Sequence, residues 1–356
     1  MPQNRLVLCF VWLIHNFFFH FRREREKLLH KFEVDPSNIR QADVSKCVKE
    51  YRRPTVGKQD NEPNDFRPPD VLLKTVFYLI DNISTKRSEW SEIYEFIFDR
   101  LRSVRQDLVV QDVQSLYTVK ILERTVRFHI YSEYRLCTAH LAVFDPKINR
   151  QHTQECLKRL INLYTELGSD VWSQRIEMET LYLLFNLGDL DSIYHFYTLP
   201  DQLRHNTDIK LAYCTSLAYM VNNWSQVIRN IHKLQSPIYL CAIHRHLPQI
   251  QRNALRVMNA GYSSKNCKFP LEKIKTSLFL NTDSEAQSLC QQFGINVEGT
   301  FAQFQKANFK MDEKISRTPS DFINDVLKQW SLPQILHGDI NTELDLTEQF
   351  SHMCQT

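Results

Sequence analysis

The hexapeptide CAIHRH, residues 241 to 246, gathers side-chain types that hold transition metals: Cys241, His244 and His246. On a helix Cys241 and His244 share a face. Zinc needs four donors and no fourth lies nearby, so no metal is expected. The other cysteines of the 9 are dispersed without a CxxC pair, which argues against zinc ribbons and disulfide frameworks and suits a reducing, intracellular compartment. Asp189 and Asp191 in LGDLD read as a helix start, where carboxylates cap exposed amides. GxGxxG, GxxxxGK[ST] and GxSxG do not occur, so the sequence signatures of dinucleotide, P-loop and α/β-hydrolase sites are missing. The expectation is a protein that is no enzyme and takes no cofactor.

Nucleic acid is the stronger candidate. The formal net charge of +3 is nearly balanced, so a basic surface has to be local. From 244 to 275, Arg245, Arg252, Arg256, Lys265, Lys268, Lys273 and Lys275 face only Glu272, seven positive charges against one negative. Further on, Lys306, Lys310 and Lys314 accompany Phe301, Phe304 and Phe309. Lysines track phosphates and aromatic rings stack bases, a combination that fits single-stranded RNA. A solvated basic face with phenylalanines buried in a hairpin core accounts for the same residues.

A third group of charges is set among apolar residues. In EFIFDRLRSVRQDLVVQ (95 to 111), helical spacing puts Ile93, Phe96, Ile97, Val104 and Leu108 on one face together with Arg100 and Asp107. Asp99 and Arg102 fall on the opposite, solvated face. Arg100 and Asp107 stand about 10 Å apart along the axis, so each is expected to meet a partner on a neighbouring helix. Such ion pairs fix packing register, and an unpaired buried charge is very costly. Arg105 and Arg127 are grouped with them as structural ion-pair residues. The next helix, 121 to 137, is apolar on two sides, with Ile121, Leu122, Phe128 and Leu136 on one and Val126, Ile130 and Cys137 on the other. It therefore lies between neighbours, and His129 is expected to be a hydrogen-bonded core residue.

The elements that must position these groups are mainly α-helical. With 7 glycines in 356 residues, the tight turns of β-rich folds lack raw material. Periodicity predicts helices over 22–34 and 43–52, then over 70–83, 90–109, 111–144, 148–167, 172–187, 207–221, 223–234 and 248–260. Pro and Gly punctuate their ends, as at Asp145-Pro146, Gly168, Gly188 and Pro237. A Pro-rich connector runs from 53 to 70. After 269 come two short helices, then a stretch (295–312) alternating as a hairpin would, with Gly299 and Asn308 as turn residues. The reading is a helical-repeat array of antiparallel helix pairs capped by a winged helix with a small β-hairpin. Its parts are an apolar N-terminus (1–21), N-terminal helices with the connector (22–69), a helical-repeat domain (70–262), the cap (263–315), and a last helix with an acidic tail (316–356).

RLVLCFVWLIHNFFFHF (5–21) is strongly apolar and is followed by Arg22, Arg23 and Arg25. An uncleaved membrane anchor, a buried helix and an incorrectly predicted first exon each account for it. His15, Asn16 and His20 interrupt the hydrocarbon stretch, so a membrane partner is not the expectation.

VKEYRRP (48–54), DFRPPDVLLKTVFYL (65–79), WSEIYEFIFDRLRSVRQDLVVQ (90–111), ILERTVRFHI (121–130) and FDPKIN (144–149) resemble, in order, the blocks of the Sac-three/GANP (germinal-centre-associated nuclear protein) domain. The resemblance spans about 22 to 280, more loosely to 315, and is strongest to the family's short, single-domain members. It implies a PCI-type winged helix at the end of the helical array, a PCI-domain protein and a small acidic subunit as partners, and a scaffold role in mRNA processing and nuclear export. For short members it implies a role in centrosome duplication and the mitotic spindle. Residence in nucleus and cytoplasm, and at centrosome or spindle, follows from the same resemblance. The family's Cys-Pro-containing block, centrin-binding helix and FG repeats have no counterpart in this sequence.

Overall fold

The structure, a computed structural model, describes residues 23–35, 38–53, 66–168, 172–264 and 266–338. The apolar stretch 5–21, most of the Pro-rich connector, Lys265 and the acidic tail lie outside them. Among the described residues no helix is long and apolar enough to cross a membrane. The fold is mainly helical, with two small sheets, and it divides into two compact units.

The first unit comprises Met1–Thr125 with Thr165–Leu167. Where the apolar spacing of Leu28, Leu29 and Phe32 predicts a helix, the chain instead turns and forms the antiparallel strands β1 (Val34–Asp35) and β2 (Asn38–Ala42). The helical run breaks at Lys27, which adopts φ +57°. Residues 48–53 also form no helix. They are bonded to side chains of a helix: Asp99 Oδ2 accepts from the Tyr51 amide at 3.2 Å, and Gln106 Nε2 donates to the Arg52 carbonyl at 3.0 Å. Helix α1 (Pro69–Tyr78) starts with proline at its first position, where the missing N–H costs nothing. A π turn, Leu79–Ile83, continues it. Helix α2 (Trp90–Val110) buries Ile93, Phe96, Ile97, Leu101, Val104 and Leu108. Helix α3 (Leu116–Arg135) is shorter at both ends than the periodicity over 111–144 predicts, and at its start Asp112 adopts φ +47° and breaks the run.

The second unit comprises Val126–Tyr164 and Gly168–Thr356. Helix α4 (Pro146–Leu167) is capped by the Asp145 side chain, which accepts from the Lys147 amide, and stops at Gly168 with φ +71°. It is followed by α5 (Trp172–Phe185), α6 (Leu190–Thr198), α7 (Asp201–Arg204), α8 (Thr207–Met220), α9 (Trp224–Ile231), α10 (Pro237–His244) and α11 (Leu247–Tyr262). Asp189, Asn206 and Asn223 cap α6, α8 and α9 through their side chains. Helix α5 packs on α8 and α10, while α9 packs on α8 and α11. Being enclosed, α5 is buried almost all round, from Met178 through Phe185.

Beyond α11 come β3 (Phe269–Pro270), α12 (Leu271–Ser277), α13 (Asp283–Gln292), β4 (Asn296–Glu298) and β5 (Phe301–Gln303). The strands form one antiparallel sheet in the order β3-β5-β4. The hairpin is shorter than predicted. It turns at Gly299, with φ +55°, but ends at Gln303, and Asn308 sits instead in a 3-10 turn (Lys306–Asn308). The chain then returns as a strap, residues 313–338, irregular to Ser320 and finishing in α14 (Asp321–Leu327) and α15 (Leu332–His337).

Candidate nucleic-acid interface

Residues 271–302 are held together by apolar side chains of α12, α13, the turn that follows α13, and β5. Leu271, Ile274, Leu278, Ala286, Leu289, Cys290, Phe293, Ile295 and Ala302 are buried. Thr282 caps α13 by accepting from the Glu285 amide at 3.1 Å, and Glu285 returns to accept from the Asn281 amide at 2.8 Å. At the end of α13, Gly294 has φ +74°, and a Cβ there would fall 1.9 Å from the Asn308 carbonyl oxygen. Only glycine lets the 3-10 turn lie this close. The Lys310 amide donates to the Phe293 carbonyl at 3.0 Å, and the Lys306 amide donates to Ser263 Oγ at 3.0 Å. These contacts set where Lys306 and Lys310 emerge.

The basic residues divide into an outer and an inner set. Lys268, Lys273, Lys306, Lys310 and Lys314 are exposed. Lys310 lies 4.0 Å from Glu313, while Lys275 is half-buried with its ammonium 2.7 Å from Asp283, a hydrogen bond that raises its pKa. Lys265 lies outside the described residues. Of the preceding arginines, Arg256 is exposed and Arg252 half-buried. Arg245 lies over the Phe185 ring at 4.1 Å, and burial lowers its pKa to about 10. The charge run from 244 to 275 is therefore not one surface.

The aromatic residues separate by strand alternation. Phe301 is 40% exposed, but Phe304 is 1% exposed, against Phe269 at 6.0 Å and Tyr262 at 6.3 Å. This corrects the expectation that both rings face bases. Three positions apart on an extended chain, they point to opposite sides. Phe309 packs on Phe293, with centroids 5.7 Å apart.

Arg100 and Asp107 are buried at 6% and 0% exposure, and the partners they meet outside α2 come from irregular chain, not from a neighbouring helix. Arg100 Nη2 donates to Glu33 Oε2 at 3.0 Å and its guanidinium stands over Phe96 at 4.5 Å. Arg23 bonds the same carboxylate at 2.8 Å, and Glu33 Oε1 accepts from the Val48 amide at 3.0 Å. Burial pushes the Glu33 pKa up, but Arg100, Arg23 and the Val48 amide outweigh it and hold it below the ordinary value. Asp107 takes Lys49 Nζ and Arg67 Nε, each at 2.7 Å, and Arg67 Nη2 reaches Ser103 Oγ at 2.9 Å. Asp99 is not merely solvated, since it pairs with Arg100 as well as Tyr51, and Arg102 stacks on Tyr51 at 3.9 Å. Arg105 is half-buried. Nothing in the periodicity of α2 points to Arg23, Glu33, Lys49 or Arg67, because segments without regular structure carry no period.

In the second unit Arg127 is fully buried. It is bonded to Glu177 at 2.7 Å through Nε, to the His337 carbonyl at 3.0 Å, and to Gln174. His129 Nδ1 lies 2.9 Å from Asn149 Oδ1, and Asn149 Nδ2 donates to the His129 carbonyl. His244 and His246 do not converge on Cys241. Their Nε2 atoms meet the Thr318 carbonyl at 2.8 Å and the Phe185 carbonyl at 3.1 Å. Burial lowers their pKa values to about 4 and about 3. Among the described residues no group of three or more His, Cys, Asp or Glu could hold a metal ion.

A family model described as the SAC3/GANP family matches residues 20–299. The chain is 26% identical over 300 residues to SAC3 family protein 1 of Schizosaccharomyces pombe, covering 78% of this chain and 29% of that protein. It is 25% identical over 288 residues to Protein xmas of Drosophila melanogaster, covering 77% of this chain and 14% of the relative. It is 23% identical over 256 residues to SAC3 family protein B of Arabidopsis thaliana, covering 67% and 15%. The chain thus spans less than a third of the length of each of these relatives.

Proposed function

The chain belongs to the SAC3/GANP family, and from that premise we propose that it is a non-enzymatic scaffold for mRNA processing and nuclear export, using its cap to dock a protein and to contact RNA. We read the strand, helix, helix, hairpin order of residues 269–303 as a PCI-type winged helix. The partners are then a PCI-domain protein with a small acidic subunit, as the family resemblance implies, and single-stranded RNA.

One observation carries the RNA part. Lys268, Lys273, Lys306 and Lys310 are exposed on the cap, which also leaves Phe301 open to solvent, and Lys314 is exposed where the strap begins. Point charges of this kind engage phosphates without reading sequence, and one accessible ring offers a stacking surface. For protein docking, β4 is an edge strand with Asn296 and Glu298 exposed, so it has a free side for another chain.

Purifying the tagged chain with and without RNase tests the reading. A protein partner retained under both treatments, with RNA crosslinked to peptides holding the cap lysines, supports it. A preparation with neither sinks it. The reading implies residence in nucleus and cytoplasm, and imaging through cell division separates it from a centrosomal or spindle role.

A further inference from the structure

A Ser or Thr followed by Pro is the minimal acceptor of proline-directed protein kinases, and the sequence holds it at Ser236-Pro237 and at Thr318-Pro319. The fold treats the two differently. Pro237 is the buried first residue of α10, so presenting Ser236 to a kinase would require unwinding that helix. Thr318 and Pro319 are both exposed, in the irregular part of the strap. They lie beyond the residues matched to the family.

The strap is fastened on both sides of this dipeptide. Arg317 Nη1 donates to Glu133 Oε1 at 2.9 Å, and the His244 ring donates to the Thr318 carbonyl at 2.8 Å. Asn281 Nδ2 donates to the Pro319 carbonyl at 3.0 Å. The Ser320 amide donates to the Tyr134 hydroxyl at 3.2 Å, and that hydroxyl lies 2.7 Å from Asn324 Oδ1. Glu133 is buried and already shared, since Arg150 approaches the same oxygen at 2.6 Å. A phosphate on Thr318 would sit one residue from Arg317. It would compete with Glu133 for that guanidinium and repel the carboxylate itself.

We propose that Thr318 is a phosphorylation site for a proline-directed protein kinase, and that phosphate there releases the strap from α3 and α10. In the transfer, the bond between the γ-phosphorus of ATP and its bridging oxygen breaks. A bond from Thr318 Oγ1 to that phosphorus forms, ADP leaves, and the hydroxyl proton passes to the kinase's base. Because Ser320 is buried, the kinase takes the segment from a lifted state, and the added charge keeps it lifted.

The experiment incubates the full chain with a proline-directed kinase and ATP, maps the product by mass spectrometry and follows hydrogen exchange. Phosphate is expected on Thr318 of the natural chain and of Ser236→Ala, with none at that position in Thr318→Ala. In the phosphorylated chain, exchange across 313–338 is expected to quicken about tenfold or more. Arg317→Gln, without kinase, should shift the same peptides in the same direction. Thr318 left unmodified on the folded chain overturns the site, whether or not a free peptide of residues 311–325 is modified. A phosphorylated chain with unchanged exchange overturns the release.

Discussion

Asp107 has two cationic partners and no exposure, so its replacement strands charges instead of removing a surface pair. Asp107→Asn is expected to destabilise by about 3–5 kcal/mol, the range for breaking a buried ion pair. Arg100→Ala is expected to lower the denaturation midpoint more than it weakens any ligand, since Glu33 loses one of two guanidinium partners. Urea unfolding followed by circular dichroism checks both. The cap rings give a matched contrast. Phe304→Ala should cost about 3–5 kcal/mol and Phe301→Ala less than about 0.5, although both sit in one short stretch. Counting along α2 was enough to find Arg100 and Asp107 on its buried face. It was not enough to find Glu33 or Arg67, because a charge in irregular chain looks the same in sequence whether it is solvated or anchored.

Helix α10 ends in a histidine that burial keeps neutral. His244 and His246 both have pKa values depressed well below the unfolded one, so the unfolded chain binds their protons more tightly. Their contribution is therefore full above about pH 6.5 and is lost as pH falls through the acidic range. By pH 5 each should have lost roughly 2 kcal/mol. Thermal melting between pH 7 and pH 5 should show the decline, and His244→Gln should flatten it. Element ends punctuated by Asp145-Pro146, Gly168 and Gly188 were readable, because caps and positive φ leave fixed residue types. Two features were not. The turn at Asp112 takes the left-handed conformation without a glycine to mark it, and the irregular chain ahead of the β1–β2 hairpin carries an apolar spacing that also suits a helix.

For the molecule as a whole, the scarcity of glycine foretold a mainly helical fold, and the balanced net charge requires any basic surface to be local. The second point has a measurable form. If Lys268, Lys273, Lys306 and Lys314 each neutralise one phosphate of single-stranded RNA, log affinity should fall with log salt at a slope of about −3. Each Lys→Gln change should make the slope shallower by about 0.7. Fluorescence anisotropy on a labelled oligonucleotide across a salt series measures it. A flat response would leave the cap a protein-docking surface only. The sheet order β3-β5-β4 bears on how this chain can be dissected. The last residue matched by the family model is Gly299, which sits inside the hairpin. A fragment trimmed to that boundary would keep both outer strands and discard the middle one that joins them, along with Phe304. An insoluble truncation would then report a severed ladder and an emptied core, with no bearing on whether the missing portion binds anything.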